Sequence, residues 1–128
     1  MLGTHLYANP EIDVQGNAIS ITDGALATYT SNNTNFGIVN IGNNMSNIFS
    51  IKNTGAGSLT VTSMSITGVN APEFTFVTPP AFPFTVAASA SQTFQVQFTP
   101  TGAGTRNALI TINNNDLNES VYDFAIEG

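Results

Sequence analysis

In Phe49-Ser-Ile-Lys-Asn-Thr-Gly55, Phe94-Gln-Val-Gln-Phe-Thr-Pro100 and Tyr122-Asp-Phe-Ala-Ile-Glu-Gly128, large apolar residues alternate with polar ones and each run stops at Gly or Pro. A period of two is the pattern of a strand with one buried and one hydrated face. Such runs recur along the chain with no helical run between them. The chain is therefore expected to be all-β, an antiparallel sandwich with a single core.

Further strand signals stand at Glu11–Gln15 and Ala18–Thr22, followed by an Asp23-Gly24 turn. The Thr-, Ser- and Asn-rich stretch Ala25–Asn35 reads as the longest loop, and Phe36–Gly42 as a resumed strand. Leu59 and Val61 alternate in odd register but Met64 and Ile66 in even register. A phase change inside one strand predicts a β-bulge near Thr62-Ser63. Phe74 and Phe76 mark a short strand, and Phe82–Val86 holds a proline, which assigns it to an edge or a crossing loop. Phe94–Pro100, Arg106–Asn113 (Ala108, Ile110 and Ile112 inward) and Val121–Glu127 complete a set of roughly seven to ten short strands. Phe49, Phe98 and Phe124 are expected to meet in one core built by both sheets. Residues 1–9 lack periodicity and read as a leader or linker, leaving 10–128 as the sandwich module.

The 128 residues suit one domain, large enough to fold without a metal or crosslink. Only 8% of the residues are charged, far below the usual quarter, and Asn, Thr and Ser fill the surface instead. That surface leans toward a setting outside the cell. With a net charge of −6 and only Lys52 and Arg106 positive, the chain lacks the basic cluster that nucleic acid or an anionic membrane requires. Absence of cysteine removes disulfides and thiolate chemistry. No apolar run reaches the ~20 residues of a membrane helix. Met1–Ala8 has neither the basic start nor the apolar centre of a signal peptide, so export would rely on a signal removed or lying elsewhere.

Catalytic side chains are scarce. The sole histidine, His5, falls in the leader, which leaves a hydrolytic triad without its base. Glu11 and Asp13, and Asp123 and Glu127, share strand faces by spacing, but carboxylates on a wet face are ordinarily solvated. The chain is expected to be no enzyme and to need no cofactor. Asn113-Asn-Asn-Asp-Leu-Asn-Glu119 clusters amide and carboxylate oxygens of the kind calcium prefers, with Asn115, Asp116 and Glu119 as the candidate ligands. The same residues suit a plain turn that tolerates left-handed backbone. Tyr7, Tyr29 and Tyr122 are candidate sugar-stacking groups, and Asn32, Asn44 and Asn118 head glycosylation triplets.

Taken in order, Phe36–Gly42, Phe49–Gly55 with Leu59, Ile66-Thr-Gly68, Phe94–Pro100 with Gly104, Ala108 through Asn115-Asp116, and Tyr122–Gly128 resemble the bacterial choice-of-anchor D domain. That domain is related to the immunoglobulin-like ASPM/SPD-2/hydin (ASH) modules. The lead-in Pro10-Glu-Ile-Asp-Val-Gln-Gly-Asn17 is similar too, so the resemblance covers 10–128.

The resemblance implies an immunoglobulin-like sandwich of seven strands or more, without a disulfide. It also implies a non-catalytic structural or adhesion module in a secreted or surface-anchored bacterial protein. Expected partners are neighbouring modules, or copies of the chain itself, meeting through edge strands in a tandem array or fibre. A carbohydrate-binding adhesin is the alternative, with a glycan as partner; neither nucleic acid nor membrane insertion is expected. Ile12-Asp-Val-Gln-Gly16 echoes Phe124-Ala-Ile-Glu-Gly128, either by coincidence of two edge strands or as the mark of a module boundary.

Overall fold

A computed structural model describes residues 8–128. Nine strands follow in chain order: β1 Ile12–Gly16, β2 Ile19–Ile21, β3 Met45–Asn53, β4 Leu59–Thr67, β5 Phe74–Val77, β6 Phe84–Val86, β7 Ser91–Phe98, β8 Asn107–Asn114 and β9 Val121–Glu127. All ladders between them are antiparallel and form two sheets, β2-β1-β3-β7-β5 and β6-β4-β8-β9.

The core lies between the sheets and is drawn from the alternating positions. Phe49, Ile51, Phe94, Val96 and Phe98 of the first sheet meet Leu59, Val61, Ile110, Ile112, Phe124 and Ile126 of the second, all buried. Phe49 stacks on Phe94 at 5.3 Å between ring centroids and leans on Phe124 at 5.8 Å. Phe98 stacks on Phe74 at 4.7 Å. The expected three-phenylalanine core is therefore present, with both sheets contributing.

The phase change in β4 is a bulge: its pairing with β8 slips between Val61 and Ser63, so Leu59 and Val61 face inward before it and Met64 and Ile66 lean inward after it. The proline-bearing segment supplies β6 at an edge, with Pro83 just before the strand.

Phe36–Gly42 is not a strand, which corrects the sequence reading. Gly37 and Gly42 adopt positive φ, 77° and 92°, and turn the backbone out of any ladder. Phe36 is buried, its amide donating to the Glu127 carbonyl at 2.7 Å, and Val39 packs partly against the core. The connection from β2 to β3 instead touches the free edge of β9 twice in parallel, at Ala25 beside Phe124 and at Asn35 beside Glu127, with a 3-10 turn at Thr30–Asn32 between. These touches cover an edge that would otherwise invite another strand.

The strands define two poles. β1 and β9 both run from the pole holding the 54–58 and 115–120 turns toward the pole holding Phe98 and Arg106. Ala8 and Asn9 lie across the first, where Gly57 donates its amide to the Asn9 carbonyl at 3.0 Å. A Cβ at Gly57 would overlap the Ala8 carbonyl, so this crossing requires glycine. Gly128 ends at the second pole, exchanging two backbone hydrogen bonds with Arg106. Among the described residues no helix is long and apolar enough to cross a membrane.

Candidate functional site

At the first pole, Asn53 closes β3 and is only 1% exposed. Its Oδ1 accepts from the amides of Glu11 and Gly55, both at 3.1 Å, and its Nδ2 donates to the carbonyls of Gly57 (2.6 Å) and Val86 (3.0 Å). One amide thus ties β1, the β3–β4 turn and β6. The turn after β8 is built the same way: Asn114 accepts from the Asp116 amide at 2.8 Å and donates to the Glu119 carbonyl at 2.9 Å. Asp116, buried, accepts from the Ile12 amide at 3.0 Å.

This arrangement gathers carboxylate oxygens of Glu11, Asp116 and Glu119 within 4.8 Å of one another. Of the residues proposed as cation ligands, Asp116 and Glu119 come together. Asn115 does not join them: its Oδ1 accepts from the Thr60 amide at 2.7 Å and its Nδ2 donates to the Ser58 carbonyl at 3.3 Å. Glu11 lies with Asp116 and Glu119. Alternation pairs Glu11 with Asp13, but Asp13 is occupied by Gln15 (2.7 Å) and Ser20 (3.0 Å) on the outer face. A contact made 108 positions along the chain leaves no local signal. Desolvation, a hydrogen bond to the Glu11 carboxyl and the charges of Glu11, Asp116 and Asp23 raise Glu119 to about 7. Such a trio can share a proton or offer oxygens to a hard cation.

Asp13, Asp23 and Asp123 stand near the same trio. Glu73 and Glu127 lie at the opposite pole beside Arg106, so the negative charge is concentrated at the first pole.

The second pole carries a groove of about 690 Å³ between the 37–41 segment and the 100–105 loop, floored by Phe98, Pro100 and Gly128. Ile38 is 101% exposed and Ile41 61% exposed at its rim. Beneath it, Arg106 meets buried Glu73 at 3.3 Å and donates to the Gly102 carbonyl at 3.1 Å. The Thr101 amide donates to the same Glu73 oxygen at 2.6 Å. That amide, outweighing the opposing effect of burial, together with Arg106 lowers the Glu73 pKa. Glu127 is held by the Thr28 hydroxyl at 2.8 Å and the Asn35 amide at 3.3 Å. The sequence gives no warning of this groove, because Ile38 and Ile41 read there as strand positions.

The remaining candidates separate by burial. Tyr122 is buried and its hydroxyl donates to the Ile21 carbonyl, so it offers sugars no surface, and burial lifts its pKa to about 12. Tyr29 is 57% exposed on the β2–β3 connection. Asn32 is buried with its carbonyl engaged by Thr34, whereas Asn44 and Asn118 are exposed. His5 and Tyr7 lie outside the described residues.

Two sheets of this topology around a disulfide-free core define an immunoglobulin-like module, and comparison with known proteins agrees. The profile of the ASH family (abnormal spindle-like microcephaly-associated, ASPM-SPD-2-Hydin) matches residues 23–121, most of the chain. The chain belongs to that family. No curated protein matches it. Among solved structures, it is similar to a protein of unknown function from Porphyromonas gingivalis, with 17% identity and a TM-score of 0.67 over 94% of this chain. The chain spans only 46% of that protein's length. It is also similar to the ASH/PapD-like domain of human CEP192 (PapD-like domain 7), with 13% identity and a TM-score of 0.58 over 100% of this chain and 94% of the other. At these identities the likeness concerns the fold. ASH/PapD-like domains are typically non-catalytic.

Proposed function

We propose that the chain is a structural module of the bacterial choice-of-anchor D type, working in a secreted or cell-surface protein and joined head to tail with like modules, in one polypeptide or in a fibre. The observation that carries this reading is the placement of Ala8 and Gly128 at opposite poles, with β1 and β9 running in the same direction between them. A unit entered at one end and left at the other extends an array instead of folding it back. The sparsely charged, Asn- and Thr-rich surface and the ordered motifs of the sequence support the bacterial, extracellular assignment.

A two-copy chain, Gly128 joined to Met1, tests the geometry. Small-angle scattering is expected to give an elongated particle with close to twice the single unit's length. A compact, side-by-side pair would count against it. The alternative, a carbohydrate-binding adhesin, draws on exposed Tyr29. Saturable binding on a glycan array, lost in Tyr29→Ala, would favour it over a pure spacer.

A further inference from the structure

We infer that the groove at the second pole is the docking site for the N-terminal segment Met1–Tyr7 of a second copy of this chain. The inference deepens the head-to-tail reading above and rests on it. The groove is backed by buried Phe98 and Pro100, its wall carries polar Thr30, Asn35 and Asn40, and Ile38 and Ile41 stand exposed at its rim. Exposed apolar side chains set together at the rim of a groove mark a contact surface.

The occupant follows from reach and charge. Seven residues extend to at most about 25 Å. They start from Ala8, which lies over Gly57 at the opposite pole. Strand β8 alone, from Asn107 at the groove end to Asn114, measures about 23 Å at 3.3 Å per residue. Gly57 lies beyond its far end, and a path over the surface is longer than one through the core. A chain cannot place these residues in its own groove, but it can place them in a neighbour's. An extended Met1–Tyr7 would bring Leu2 and Leu6 to one side, two apolar anchors for a groove of this size.

Charge sets the polarity. Glu11, Asp13, Asp23, Asp116 and Glu119 gather at the pole that presents the segment. Two such poles repel, whereas the groove pole holds Glu73 paired with Arg106 and Glu127 engaged by Thr28 and Asn35. Acidic pole against groove pole is the arrangement with least repulsion. It is a heterologous contact, and it grows instead of closing.

Complementation by half-defective copies tests this directly. One variant carries Leu2→Ser and Leu6→Ser with the groove intact; the other carries Ile38→Asp with the segment intact. Sedimentation velocity of the unaltered chain up to millimolar concentration is expected to show masses rising past the dimer. Each variant alone is expected to associate at least about tenfold more weakly, the scale set by one buried large apolar side chain. Their equimolar mixture should restore a species of twice the monomer mass that grows no further. Far-ultraviolet circular dichroism and thermal melts verify that both variants are folded; Ile41→Asp replaces Ile38→Asp if the latter is not.

Several outcomes overturn the inference. A groove-to-groove dimer would stop at twice the monomer mass and ignore the Leu2/Leu6 change. An unaltered chain that stays monomeric to millimolar concentration also overturns it. Either result leaves the tandem reading standing if the two-copy chain is elongated. A compact two-copy chain removes the parent reading itself.

Discussion

Asn53 receives two part-buried amides through one carbonyl oxygen and donates to two buried carbonyls. Removing it strands the two buried carbonyls at about 1–3 kcal/mol each and loses both accepted bonds. Asn53→Ala is expected to lose at least about 3 kcal/mol in urea melts, and Asn53→Asp to be destabilised as well because both donors vanish. The core phenylalanines set the comparison: Phe49→Ala, Phe98→Ala or Phe124→Ala should cost about 3–5 kcal/mol each, whereas Gln95→Ala and Gln97→Ala, pointing outward, should stay within about 0.5 kcal/mol. Equal losses in both groups would mean the strands face the other way.

Glu119 adds a pH dependence whose sign is fixed. Its pKa is raised from 4.5 to about 7 in the folded chain, so between these values the folded state holds a proton that the unfolded state has released. Its contribution to stability therefore falls as pH rises through that window and is constant on either side. The lowered Glu73 works oppositely, but only at acid pH: its contribution is present above 4.5 and lost as pH falls through the folded value. Thermal melts from pH 5 to 8 should show a declining midpoint that Glu119→Gln flattens. A wild-type midpoint rising with pH across that range would refute the carboxylate trio as drawn.

At the scale of elements, what the sequence makes legible is burial by alternation. Ile51, Val96, Ile110 and Phe124 declare their faces because their neighbours two positions away share them. Even the bulge at Thr62-Ser63 is readable, since it displaces the apolar phase from odd to even. Alternation misleads at Phe36–Gly42, where Ile38 and Ile41 imitate a strand but Gly37 and Gly42 bend the backbone away. It is silent on Glu11 meeting Glu119, because that contact depends on which strands become neighbours. Hydrogen exchange separates the two kinds of segment: amides of Ile38, Val39 and Ile41 should exchange rapidly, while those of Ile51 and Val96 in the central ladder should approach global protection. Protection at Ile38 in dilute, monomeric protein would restore the strand.

At the scale of the whole molecule, the direction of β1 and β9 has a mechanical consequence. Tension applied between Ala8 and Gly128 acts along the strands, because one residue leaves each pole. The β1–β3 ladder, from Ile12 opposite Asn53 to Gly16 opposite Phe49, is then strained in shear, as is β8–β9 from Asn113 opposite Val121 to Asn107 opposite Glu127. Hydrogen bonds perpendicular to the pull yield together, not in succession. Tension between Thr54 and Asn118, both at the acidic pole, would instead open the ladders from one end. Single-molecule pulling should find a higher rupture force for the first geometry than for the second at equal loading rate. The same chain would be stiff when drawn along its length and easily unzipped from the side.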